Sequence, residues 1–149
     1  MRVTSPDAME ALGRRLGAVA QPGTVIALSG DLGAGKSVLA RGIARGLGIT
    51  GRIPSPTFIL VAEYTQGRIP LHHGDLYRLT GPDDVMSVGL DEFLGGEGIV
   101  VLEWADRFPE ILPADHLAIR IEIGPTDDER EVSLCAGGPI SRSLEATLG

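Results

Sequence analysis

Apolar residues recur at helical spacing over the first twenty positions and then give way to short unbroken apolar runs, a change of period that predicts a helix followed by buried strands. Leu12, Leu16 and Val19 share one face of a helix over Pro6–Ala20, Arg14 and Arg15 face away, and Pro22-Gly23 ends it. Arg2–Thr4 ahead of that helix reads as a short edge strand. Thr24–Leu28 is β-branched and apolar, and it runs directly into Gly30. Lys36–Leu47 then returns to helical period, with Val38, Leu39, Ile43 and Leu47 on the buried side.

The second half alternates between the two periods. Ile59–Tyr64 and Arg68–His73, separated by Thr65-Gln66-Gly67, predict two strands joined by a short turn. Asp83–Phe93 predicts one or two short helices broken near Gly89. Ile99–Leu102 is apolar on both faces, as expected of a central parallel strand, and Asp106–Ile111 is short helix or loop closed by Pro113. His116–Ile123 alternates, with Arg120 and Glu122 on its polar side. Arg130–Cys135 pairs with it, and Ser141–Leu148 forms a terminal helix. The resulting fold class is α/β, one P-loop domain over 1–149, with a mixed, mostly parallel central sheet flanked by helices and antiparallel strands at the edge.

Composition narrows the functional classes. The 149-residue chain has enough apolar residues for one real core, and its longest apolar runs fall far short of the roughly 20 residues that span a bilayer. No apolar leader follows the N-terminus, so a cytoplasmic location is the simplest reading. Cys135 is the only cysteine, which excludes an internal disulfide and a cysteine zinc cage; its apolar neighbours predict a packed thiol. A net charge of -7 argues against a chain that grips nucleic acid directly, so any RNA connection runs through a partner. Of thirteen basic residues only Lys36 is lysine, and it lies inside the glycine-rich segment. A compact ammonium on a flexible stem is what reaching between two phosphates requires.

That segment, Gly30-Asp31-Leu32-Gly33-Ala34-Gly35-Lys36-Ser37, matches G-x-x-x-x-G-K-[ST] in full. Glycines let the backbone curl so that successive N–H groups form an anion nest, and the following helix adds its positive dipole end. Asp31 through Val38 are therefore the candidate nucleotide contacts, with Lys36 on the β and γ phosphates and the Ser37 hydroxyl on Mg2+. A dinucleotide fingerprint fails because Val38 stands where its last glycine is needed. The guanine-reading N-K-x-D motif needs asparagine, and the chain has none, so ATP is favoured over GTP.

Two acids are placed to act on the phosphates. Glu103 ends the Ile99–Leu102 strand on the same rim as the glycine loop and is the candidate second magnesium ligand, against the alternative of a solvent-facing strand-terminal acid. Asp75 follows the apolar segment from Ile69 and is either an acid near the γ phosphate or a turn aspartate ahead of Leu76-Tyr77. His73 is undecided. His72 and His73 face opposite sides of a strand and make no metal site together. Ser55 and Thr57 lie where nucleotide switches place a mobile loop, or in a simple proline turn. Trp104 stacks on a base or partner, or fills the core. Arg41 and Arg45, one turn apart, are either a contact surface or a solvated helix face, and Arg107, Arg120, Arg130 and Arg142 are scattered.

Taken together, residues 30–37, Ser-Pro-Thr-Phe at 55–58, His-Gly-Asp-Leu-Tyr-Arg at 73–78 and Leu-Glu-Trp at 102–104 resemble the TsaE (YjeE) family. The resemblance implies an ATPase subunit of the bacterial machinery that makes threonylcarbamoyladenosine at position 37 of tRNA, working with a TsaB–TsaD pair. It implies that Lys36, Asp75 and Glu103 are the functional groups, that the loop at 55–58 lies at the nucleotide and partner face, and that Thr4–Asp7 pack near the base. Ser37 stands where threonine is commoner in that family. Gly74 replaces a usually bulky residue, which predicts a less firmly oriented Asp75. A small-molecule kinase and a nucleotide-gated assembly module are the rival readings.

Overall fold

The computed structural model describes residues 1–31, 33–51, 61–77, 79–81, 83–84, 90–94 and 96–148. Among these residues seven strands form one sheet: β1 (Arg2–Val3), β2 (Val25–Gly30), β3 (Val61–Tyr64), β4 (Leu71–Asp75), β5 (Ile99–Glu103), β6 (Leu117–Ile123) and β7 (Arg130–Ala136), in the order β1-β7-β6-β2-β5-β4-β3. The four central strands β6, β2, β5 and β4 are parallel, and β1, β7 and β3 pair antiparallel at both edges. The helices are α1 (Pro6–Val19), α2 (Lys36–Gly46), α3 (Leu90–Phe93) and α4 (Pro139–Ala146), with 3-10 turns at Ala105–Arg107 and Pro109–Ile111.

The unbroken apolar runs of β2 and β5 follow from burial on both faces. Ile26, Leu28, Ile99 and Val101 face a core shared with α1 and α2, while Val25, Ala27, Val100 and Leu102 face a second core with Leu76, Leu79, Ala105 and Phe108. On β6 only Leu117, Ile119 and Ile121 join a core. Its other face carries exposed Arg120 and Glu122, so its sequence alternates.

Period 2 also corrects the expectation for Cys135. On β7, Val132 points into the core, so Ser133 and Cys135 stand on the opposite, uncovered face and the thiol is exposed. Apolar neighbours in sequence lie on the other side of the strand. Val19 is likewise exposed, because α1 ends there and carries its buried face on Met9, Leu12, Gly13, Leu16 and Gly17. β4 begins at Leu71 rather than Arg68, since residues 66–69 form bends and the Arg68 guanidinium donates to the carbonyls of Gly17 (2.7 Å) and Ala20 (2.9 Å) at the end of α1. Arg45 also serves the backbone, donating to Ile49 O (3.0 Å) and Gly51 O. The expected break near Gly89 and the residues Ile59 and Leu60 lie outside the described residues.

α1 and α2 meet at the level of their backbones. Gly13 and Gly17 on α1 oppose Gly42 and Gly46 on α2, each pair four residues apart. A Cβ at Gly17 would lie 2.1 Å from the Ile43 carbonyl oxygen, and one at Gly42 would lie 2.3 Å from that of Glu10. Only hydrogen fits at these positions. Ser5 caps α1, accepting from Ala8 N–H at 3.0 Å, with Pro6 at the first helical position. The helix that begins at Lys36 is thereby held against one of fixed start.

Candidate functional site

The site lies at the carboxyl ends of the parallel strands, where β2 leads into the loop before α2. Gly30, Gly33 and Gly35 have φ values of +142°, +80° and +114°, which wind the chain from strand to helix. A side chain at Gly30 would also run into Ile121 O, 2.3 Å from the position of its Cβ. Leu39 N–H donates to Gly35 O at 3.0 Å, opening the helix, whose first N–H groups have no partner within it.

Sheet register brings the acids to this loop. Leu28 of β2 lies beside Glu103 of β5, and Glu103 beside Asp75 of β4. A cleft of about 270 Å³ is lined by Gly33, Gly35, Lys36, Ser37, Val38, Asp75, Glu103 and Trp104. Asp31 borders it through its carbonyl, and Ala34 lines the neighbouring cavity. Leu32, Ser55 and Thr57 lie outside the described residues.

Each group in the cleft has a defined partner. The Lys36 ammonium, 5% exposed, donates to Gly30 O (2.7 Å) and Asp31 O (2.8 Å) and sits 4.1 Å from the centroid of the Trp104 ring. Burial lowers its pKa, an effect that Glu103, Asp106, Asp31 and Asp75 partly offset by their charge. Trp104 takes a left-handed conformation, φ +63°, immediately after β5, and its ring also meets that of Tyr77 at 4.9 Å. It is half-buried at the rim, between the two sequence alternatives.

Glu103 is 3% exposed, which removes the solvent-facing alternative. Its Oε1 accepts from the Ser37 hydroxyl at 3.3 Å and its Oε2 shares a hydrogen bond of 2.6 Å with His73 Nε2. Asp75 is a turn aspartate that also borders the cleft. Its Oδ1 accepts from Tyr77 N–H at 2.9 Å, as a turn aspartate does, and the same carboxyl lines the cleft. That bond orients it despite Gly74. Burial raises its pKa and Glu103 adds to the rise, while the Tyr77 bond and the charges of His73 and Lys36 oppose it.

A second cavity, of about 120 Å³, adjoins the first across Gly33, Gly35 and Val38. Pro6, Met9, Ala34 and Val38 supply apolar surface, and Ser5, Asp127, Asp128 and Arg130 supply polar edges. Arg130 donates to Ala34 O at 3.0 Å and to Asp127 O at 2.6 Å, tying the β6–β7 connection to the glycine loop. Its role is invisible in a list of scattered arginines. Arg107 too comes to the rim, where it donates to Tyr77 O, while Arg120 pairs with Glu122 on the exposed sheet face. His73 was the other group whose place sequence left open. Its signal was its position two residues before Asp75, which puts both on one face of β4.

Ser37 and Glu103 offer hard oxygen donors of the kind that Mg2+ takes alongside phosphate oxygens and water. Among the described residues no three His, Cys, Asp or Glu side chains converge as an all-protein metal cage.

Comparisons with known proteins bear on the family and the fold. The family model described as "Threonylcarbamoyl adenosine biosynthesis protein TsaE" matches residues 3–132. The tRNA threonylcarbamoyladenosine biosynthesis protein TsaE of Bacillus subtilis is 43% identical over 137 residues, 92% of this chain and 85% of that protein. The protein of the same name from Nostoc is 47% identical over 117 residues, 76% of this chain and 71% of that protein. The crystal structure of YdiB from Bacillus subtilis superposes with a TM-score of 0.85 at 39% identity, covering 99% of this chain and 91% of that one. On family model, sequence identity and fold alike, the chain belongs to the TsaE family.

Proposed function

We propose that the chain binds and hydrolyses ATP with Mg2+, as the ATPase subunit of the machinery that installs threonylcarbamoyl on adenosine 37 of tRNA. It works beside a TsaB–TsaD pair and, with its charge of -7, meets tRNA only through them. The location is the cytoplasm, and among the described residues no helix is long and apolar enough to cross a membrane. The observation that carries the reading is the convergence of Lys36, Ser37, Asp75 and Glu103 on one cleft at the end of the glycine loop.

The partners each group now has support these roles. Lys36 is a charged donor on loop carbonyls, and phosphate oxygens are stronger acceptors for the same ammonium. Ser37 and Glu103 hold the metal, which when bound neutralises charge on the β and γ phosphates. Asp75 accepts a hydrogen bond from the water that attacks the γ phosphorus as the bond to the β-phosphate oxygen breaks. The cavity bounded by Ser5, Pro6, Met9 and Val38 takes the adenine, its apolar walls against the ring faces.

The test is repeated threonylcarbamoylation of tRNA by the reconstituted three-protein system. Wild type sustains many rounds, whereas Lys36→Ala and Glu103→Ala lose them. If both variants kept the wild-type rate, hydrolysis would not be the functional step. Passage of labelled γ-phosphate to a metabolite instead of water would point to a kinase.

A further inference from the structure

From the buried contact between His73 and Glu103 we infer that His73 is a positioning residue for the metal-binding carboxylate, an inference that rests on the magnesium reading of Glu103. The two residues come from neighbouring parallel strands, with His73 beside Val101 and Asp75 beside Glu103. Both are 3% exposed, and Nε2 lies 2.6 Å from Oε2. For Glu103 acting as a metal-binding carboxylate, whose oxygens only accept, His73 Nε2 is the donor of this bond.

The bond divides the labour of the carboxyl group. Oε2 is occupied by a ring carried on a central strand, and Oε1 is thereby turned toward Ser37 Oγ at 3.3 Å. A glutamate side chain has three rotatable bonds, and without a fixed partner its carboxyl samples positions that face away from the serine. His72 takes no part. It points to the other side of β4 and stacks on Phe93 at 4.2 Å between ring centroids.

Hydrogen bonds that hold a ligating carboxylate in place are worth about 10- to 100-fold in metal affinity. The measurement is Mg2+ titration of a fluorescent ATP analogue bound to the full chain, with an EDTA control for metal-free binding and circular dichroism for folding. His73→Leu is expected to raise the Mg2+ needed for half-maximal response about 10-fold or more. Its affinity for the analogue in EDTA stays at the wild-type value. His73→Gln, whose amide N–H reaches nearly the place of Nε2, restores the wild-type requirement. Should the leucine variant not fold, His73→Asn carries the same expectation, because its shorter amide falls short of Oε2.

A merely structural histidine would change the melting temperature and leave the Mg2+ requirement alone, and that result overturns the inference. So does a glutamine variant as impaired as the leucine or asparagine one. A wild-type chain whose binding is indifferent to Mg2+ overturns the metal reading itself, a different result from an Mg2+-dependent wild type whose variants are unshifted.

Discussion

The ammonium of Lys36 lies 4.1 Å from the centre of the Trp104 ring, so the only lysine of the chain rests on its only tryptophan. Such a contact contributes about 0.5–2 kcal/mol depending on solvation. It competes with phosphate for the same cation. Lys36→Met therefore changes the Trp104 emission spectrum in the absence of nucleotide. Addition of Mg-ATP to wild type moves the emission in the same direction, because both remove the cation from the ring. Opposite directions, or an unaltered spectrum in the variant, would refute the contact as a reporter of phosphate binding.

Asp75 predicts a stability gain at the expense of function. Its pKa is raised above the ordinary 3.8, chiefly by burial, so the folded chain binds that proton more tightly than the unfolded chain does. Stability attributable to this group is therefore highest below the ordinary carboxylate range and falls as pH rises through the raised value. Asp75→Asn keeps an oxygen for Tyr77 N–H and has no charge to desolvate. Melting curves should show the variant above wild type at neutral pH, with the gap closing on acidification toward and below 3.8. A gap that widens on acidification has the wrong sign for this account.

Gly17→Ala tests the contact between α1 and α2. Alanine in a helix interior gains about 1 kcal/mol over glycine, but overpacking against an unyielding neighbour costs about 1–3 kcal/mol or more. The new Cβ would lie 2.1 Å from a backbone oxygen, so the clash wins. A net loss of about 2 kcal/mol, or roughly 4–8 °C in Tm, is expected. Gly81→Ala, where the new Cβ meets nothing within 4 Å, should be neutral or slightly stabilising. Equal melting temperatures for the two variants would contradict the close helix contact.

What could be read in the sequence is what depends on local spacing. The glycine loop between a strand and a helix, the two-sided burial of Ile99–Leu102 and the strand-terminal position of Glu103 all follow from a few consecutive residues. The fold class followed in turn, with parallel strands at the centre and antiparallel ones at both edges. Contacts set by register between distant strands did not follow. His73 reaches Glu103 across 30 positions only because β4 lies directly beside β5, and no periodicity encodes that adjacency. Arg130 bonds to Ala34 across 96 positions for a similar reason. Cys135 was a different failure, since its alternation with Val132 and the exposed Ser133 already placed it outside. The glycines at 13, 17, 42 and 46 were also legible as spacing, but their meaning needs the second helix.

Those glycines bear on how the smaller cavity can choose its occupant. Met9 on α1 and Val38 on α2 both line it, and the two helices touch backbone to backbone where the glycines meet. Side chains that change rotamer can reshape a lining, yet they cannot bring closer two main chains already in contact. For the adenine proposed to occupy this cavity, the spacing of the two helical walls is therefore set by main-chain contact and not by side-chain rotamers.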